Sequence, residues 1–428
     1  MKSHFDTEYN EVELGQVCRV GDGAHSKVER KESGIPYITS KNIEVGHLDT
    51  EDVDYISEED YRRIFPDNGT VRRPKPGDVL IGIIGSFGNA YRYTESDHFG
   101  ISSAVGVLRP DESKLDSDFL YYVVTSDTFR AVHESVKGGS VQGYTNTDTI
   151  QSLPLVLPPL PVQRRIADIL GALDDKIELN RRMNETLEEM ARALYRHWFV
   201  DFGPFQDREF KDTEEMGPIP KGWEVKPLES IVTIELDNID PQDFPDEEFD
   251  YYSFSAYDEN RYPKLEVGGE IGSRKSLVKR RKVMVSRLNP GDYRIWTVYP
   301  DGDRRGITST EFIHFVPNDP ELWGYLNCHL RSEGFKAEFR RHASGTTGSR
   351  QRVRRRTPND FGTVIPSEDV LETFGKRVNP VWDLIHFNRE ENQTLAETRD
   401  YLLPKLISGE IEVEAAQEVA EETVEATS

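Results

Sequence analysis

The sequence predicts an α+β chain with a pseudo-twofold internal repeat. Two strand-rich segments are separated by two long helices that pair antiparallel as a coiled coil. Three observations lead there. A long-helix pattern occurs twice, 208 residues apart. A proline signal precedes each copy. A strand-rich segment with matching landmarks precedes each proline signal.

The first helix copy places Ile166, Leu170, Leu173, Ile177, Asn180, Asn184, Leu187, Ala191, Leu194 and Trp198 at steps of four and three. That is a heptad a/d seam, which buries one narrow stripe against another helix. The second copy places Phe374, Val378, Val381, Ile385, Asn388, Asn392, Leu395, Arg399, Leu402 and Leu406 at the same steps. Only Arg399 is neither apolar nor part of a repeated Asn pair. At about 1.5 Å per residue, the first seam is about 48 Å long, too long for the inside of a small domain. The simplest partner for each seam is the other. Asn180, Asn184, Asn388 and Asn392 sit mid-seam, where a buried polar layer fixes register; a solvent-facing pair is the alternative. Pro380 falls within the second pattern and should kink that helix or start it late. The proline signals are Leu157-Pro158-Pro159-Leu160-Pro161 and Val364-Ile365-Pro366-Ser367.

The segments before the helices carry short apolar runs between turn signals: Pro36-Tyr37-Ile38, Val79-Leu80-Ile81 and Val105-Gly106-Val107-Leu108 in the first, Val283-Met284-Val285 and Phe312-Ile313-His314-Phe315 in the second. Phe119 to Phe129 reads as one amphipathic helix, and Trp323 to Phe335 as its counterpart.

A small polar loop follows each of these helices. The first holds Lys137, Ser140, Gln142, Tyr144 and Asn146; the second holds Thr346, Thr347, Arg350, Gln351 and Arg352. Small residues let backbone N–H groups approach phosphates, and Gln, Asn and Arg can read base edges. An ordinary solvent loop is the bland alternative, weakened by the recurrence. Lys41, Asn42, Arg274 and Lys275 complete the candidate DNA contacts.

The chain has 77 acidic and 53 basic residues, a net charge of −24. Such a balance normally argues against nucleic acid. Acids spread along the whole chain fit a halophilic proteome better than a basic partner. The basic residues cluster instead. Arg274 to Arg287 contains no acid, Lys336 to Arg356 contains only Glu338, and a weaker cluster surrounds Arg62, Arg63, Arg72, Arg73 and Lys75. Two basic islands in an acidic chain favour a nucleic-acid surface over a solvated face. Residues 409–428 carry only acidic charge and are expected to be disordered. Two cysteines, Cys18 and Cys328, make no disulfide framework and suggest a reducing compartment. No leader pattern and no membrane-length apolar run is visible, so a cytoplasmic chain is expected.

No phosphate-binding loop, HExxH or Cys-x-x-Cys spacing is present, nor a cofactor loop after a strand. No cofactor, metal or catalytic residue is therefore expected. A coiled-coil scaffold with protein-binding heads and a standalone nuclease or methyltransferase are the competing readings. The basic islands speak against the first, and the missing motifs against the second.

The chain resembles the DNA specificity subunits of type I restriction–modification enzymes. The resemblance covers nearly the whole chain. It is strongest in Leu157 through Ala167, in Leu194 through Phe202, in Pro218-Ile219-Pro220-Lys221-Gly222-Trp223, and in Leu402 through Gly409. It implies target recognition domains over 1–156 and 221–366, spacer helices over 157–203 and 367–408, and a linker over 204–220. Each domain would read one half of a split, asymmetric DNA target. The helices would set the unread spacer and dock two methyltransferase subunits, with Trp198 joining the Asn residues in register or docking. The assembly would recruit restriction subunits, and the chain itself would be non-catalytic.

Overall fold

The computed structural model describes residues 9–84, 89–136, 144–300, 302–345 and 351–426. The chain divides at Lys176/Ile177 and Gln393/Thr394 into two compact units. Each unit takes one strand-rich segment and part of both long helices.

In the first unit, Val79–Gly82 lies inside an antiparallel four-stranded sheet. The order is Cys18–Asp22, Val105–Pro110, Val79–Gly82, Ala90–Arg92. Val79–Gly82 is buried at every residue, which is why it reads as an unbroken apolar run rather than an alternation. A second sheet pairs Ile35–Ile38 antiparallel with Asp54–Ile56 and parallel with Gly100–Ile101. Asn10–Glu13 and Pro154–Leu157 tie the ends of the segment together.

The second unit repeats this plan. Val232–Glu235, Phe312–Pro317, Lys282–Ser286 and Ile295–Val298 form the four-stranded sheet in that order. Glu248–Tyr252 pairs antiparallel with Lys264–Val267 and parallel with Arg305–Ser309. Two strands are added here: Lys275–Val278 on Arg305–Ser309, and Asn238–Ile239 beyond it. Glu224–Pro227 and Gly362–Ile365 close the segment.

Each expected single amphipathic helix is two helices. Ser117–Thr125 and Asp127–Ser135 are split by Ser126, and Trp323–Arg331 and Glu333–Arg341 by Ser332. Both serines are extended, and their hydroxyls accept from Phe129 N and Phe335 N at 3.2 and 3.3 Å. The serine satisfies an orphan amide of the next helix, so the break is stable.

The long helices span Leu160–Phe199 and Glu368–Ser408. The second neither starts late at Pro380 nor is interrupted there; buried Val378 and Trp382 flank it and hold both turns in place. Within the second unit, Asn180 Nδ2 donates to Asn392 Oδ1 at 2.9 Å, and Asn388 Nδ2 to Asn184 Oδ1 at 2.8 Å. Exchanging the two sequence copies turns one contact into the other. Rising numbers on one helix meet falling numbers on the next, so the pairing is antiparallel. Glu391 breaks the symmetry: it is buried and accepts from Asn180 at 2.6 Å, whereas its copy-equivalent is Met183. In the first unit, Arg399, the one seam position of odd chemistry, reaches Asp174 at 2.7 Å, and Tyr122 donates to the same carboxylate at 2.9 Å.

The acidic segment expected to be disordered carries a helix, Val413–Ala426. Gly409, with φ +74°, ends the second long helix in the left-handed conformation. The chain turns there, and Val413, Ala416 and Ala420 are buried at helical spacing. Composition flagged the acids and hid this apolar stripe.

His314 is buried in Phe312–Pro317, with no hydrogen bond to either ring nitrogen among the described residues. Burial, reinforced by Lys282 and Arg355, pushes its pKa down to about 3. Burial likewise pushes His329 down to about 4. Such groups bind protons mainly after unfolding. Their stability contribution is therefore full above about pH 6.5 and is lost as pH falls toward the folded values. The urea midpoint should fall between pH 7 and pH 5, as the unfolding free energy drops by up to about 1.4 kcal/mol per pH unit per histidine. His314→Leu should flatten part of that slope in the same urea titration.

Candidate nucleic-acid interface

In the second unit the polar loop is pinned at its base. Ser344 and Arg352 exchange two backbone hydrogen bonds, at 3.0 and 2.9 Å, closing the loop between them. Arg352 also bridges Leu288, and Asn289 N donates to Gln351 O at 2.9 Å, just beyond strand Lys282–Ser286. Glu311 accepts from Arg352 Nε at 3.1 Å and lies 3.7 Å from Arg287. Burial holds the Arg287 pKa below its usual value, with Glu311 opposing and Arg355 and Arg352 adding to the depression. Arg355 donates to Thr310 O. Two guanidinium groups, of Arg287 and Arg352, thus share one carboxylate, and Gln351, Arg354 and Arg356 stand exposed beside them. Thr346, Thr347 and Arg350 lie outside the described residues.

The first unit anchors its loop at the matching place. Tyr144 bridges Ile84, just past strand Val79–Gly82, and its side chain is 54% exposed. Thr145 N donates to Ile83 O at 2.9 Å. Asn89 Nδ2 donates to Ile43 O at 2.9 Å, which draws the 39–49 loop to the same edge. The sequence reading had not singled out this 83–90 connection. Its two glycines, Gly85 and Gly88, are the available signal. Lys137, Ser140 and Gln142 lie outside the described residues.

Several candidates do structural work. Asn42 is buried; its side chain accepts from Thr39 N and Oγ1 and donates to Asp49 O and Asp52 O. It closes its own loop and has no capacity left for a base. Lys41 beside it is exposed. Asn146 caps Thr147–Gln151, accepting from Thr149 N at 2.8 Å. Lys275 is buried against Ser273, and burial holds its pKa down. Arg274 is exposed, 3.8 Å from Asp240. Trp198 is 7% exposed among Phe205, Phe374 and Arg377, so it is a core residue and no docking surface.

The acid-free island from Arg274 to Arg287 is largely neutralised in space. Lys279 pairs with Asp237 at 2.7 Å, Arg280 and buried Lys282 with Glu235 at 2.6 and 2.5 Å, and Arg281 with Asp383 at 3.6 Å. Burial would raise the Glu235 pKa, but hydrogen bonds from Lys282 and Arg280 hold it below its usual value. The weaker first cluster is similar, with Arg62 on Glu58, Arg63 on Asp60 and Lys75 on Asp67.

The helix pair of the second unit has two unlike faces. At e positions, Glu188 accepts from Arg331 at 3.0 Å, Tyr195 meets His329 at 2.9 Å, and Trp382 packs under Arg331. These residues seat the pair on the strand-rich segment. The c and g positions present Leu179, Met183, Met190, Leu384 and Phe387, between 36% and 60% exposed. A twofold axis normal to an antiparallel pair keeps c and g of both helices on one side, so these five side chains share a face.

Residues 6–189 match the family model described as the type I restriction modification DNA specificity domain. A DNA sequence-recognition protein is the class this defines. The chain is 26% identical, over 97% of its length and 99% of the relative's, to the type I restriction enzyme MjaIX specificity subunit of Methanocaldococcus jannaschii. It is 24% identical, over 79% of its length and 87% of the relative's, to the HindI specificity subunit of Haemophilus influenzae. The S subunit structure from M. genitalium shares the fold, with TM-score 0.56 at 15% identity over 95% of this chain and 98% of that one. Over most of its length the chain is thus similar to type I restriction enzyme specificity subunits, and residues 6–189 match their DNA specificity domain. No helix among the described residues is long and apolar enough to cross a membrane.

Replacing exposed Arg354 and Arg356 with Ala should weaken binding to all DNA sequences alike and reduce the salt slope by about one to two phosphates. Gln351→Ala should instead weaken binding to targets carrying one particular half-site. Fluorescence anisotropy at several salt concentrations separates the two outcomes.

Proposed function

We propose that each unit reads one half of a bipartite, asymmetric double-stranded DNA target, and that the long helices set the unread spacer. The observation that carries this reading is the repetition of one sheet plan with a loop anchored just past the same strand, at Ile84 in one unit and Leu288 in the other. The loops differ in chemistry, Tyr144 beside one and Gln351 with several arginines beside the other, which fits two different half-sites. The reciprocal Asn contacts give the helices one register, as a spacer element requires.

The apolar c/g face fits the docking of methyltransferase subunits. It is rimmed by charged helix positions and turned away from the strand-rich segment, and contiguous exposed apolar side chains mark protein interaction surfaces. In this reading two methyltransferase subunits supply the chemistry, restriction subunits join the assembly, and this chain supplies only recognition.

Two experiments test these parts. Adding one heptad to each helix at matched positions lengthens the pair by about 10 Å, or about three base pairs. Mapping methylated bases after co-expression with the methyltransferase should show a longer spacer between unchanged half-sites; a constant spacer defeats the spacer reading. Met190→Glu with Phe387→Glu should abolish co-purification of methyltransferase at that face while leaving the thermal unfolding midpoint nearly unchanged.

A further inference from the structure

The first unit contains the same c and g positions, and there part of the face is covered, although Tyr401, another c position, is exposed. Helix Val413–Ala426 lies over them. Glu414 pairs with Arg165, a c position of the first long helix, and Arg165 Nη2 donates to Gln417 at 3.2 Å. Thr423 meets Thr398, a g position of the second long helix, at 3.3 Å. Ile169, at g, is 7% exposed.

The copy relation makes the contrast specific. The equivalent of Thr398 is Met190, 60% exposed in the second unit, and the equivalent of Arg165 is Thr373, also exposed. One face therefore has an occupant from its own chain, and its counterpart has none among the described residues.

The occupant is lightly held. Its inward stripe is Val413, Ala416 and Ala420, mostly single methyl groups. Its outward side carries exposed Glu418, Glu421, Glu422 and Glu425. Its pair with Arg165 is between exposed side chains, 45% and 66% accessible, a kind that salt screens. A helix of 14 residues is marginal once detached. Such an element leaves readily when a better partner arrives.

We propose that the C-terminal helix is a built-in competitor for one of the two methyltransferase docking faces. The chain then takes its first methyltransferase subunit on the open face of the second unit. A second subunit binds the first unit only by displacing Val413–Ala426. This rests on the docking reading above and adds an order and an inequality to it.

Native mass spectrometry of the full chain titrated with its cognate methyltransferase subunit tests this. The intact chain should bind one subunit and then a second at least tenfold more weakly. Ala416→Glu with Ala420→Glu drives charge into the buried stripe, and Glu414→Arg sets like charge against Arg165. Both variants alter only the tail, and both should bring the two steps within about threefold of each other. Two equal steps for the intact chain, or an inequality unchanged in both variants, would overturn the proposal and leave docking intact. No subunit bound by any form would overturn the docking reading, and this one with it.

Discussion

The antiparallel seam between the two long helices is the constraint on which the rest depends. The first unit is assembled from both ends of the chain, Met1–Lys176 and Thr394–Ser428, whereas the second is the continuous run Ile177–Gln393, and each long helix contributes turns to both. A one-turn slip would separate Asn180 from Asn392 and leave Glu391 buried without its donor. Buried polar groups without partners are expensive, so this layer penalises alternative registers more than an all-apolar seam would. The apolar seam supplies attraction, and the Asn layer selects one alignment.

Charge organises the surface in a way that counting does not reveal. The excess of acids neutralises most of the basic island from Arg274 to Arg287, because the added strand Lys275–Val278 runs beside the acids Glu235 and Asp237. Positive charge survives where the fold supplies too few carboxylates, as at the loop base where Glu311 serves both Arg287 and Arg352. A polyanion meets a focused patch rather than a basic surface. The same logic explains the C-terminal helix: its acids face outward, and one finds Arg165.

Much of the architecture was legible because it rests on periodicity. The four-three spacing, the repeated Asn pairs and the proline signals are local properties of the chain, and a helix that buries one stripe must have a partner for it. The breaks at Ser126 and Ser332 were legible in principle, since a serine followed by an acid in the first turn is a helix N-cap pattern. The length of the apolar stretch masked it. The candidate site was legible only in outline. The loops stand out by composition, but Asn42 and Asn146 look like readers in sequence and act as a loop clasp and a helix cap in space. Lys275 and Trp198 look available and are buried.

Residue spacing by itself determined the internal repeat, the two long helices, their antiparallel seam and the strand-rich character of what precedes them. Tertiary structure alone decided which charges cancel, which polar side chains are consumed by the backbone, and which of two equivalent helix faces is covered. The reason is physical: helical and strand periods are set by near neighbours, whereas charge pairing and burial depend on residues tens to hundreds of positions away, such as Glu235 for Lys282 and Glu414 for Arg165.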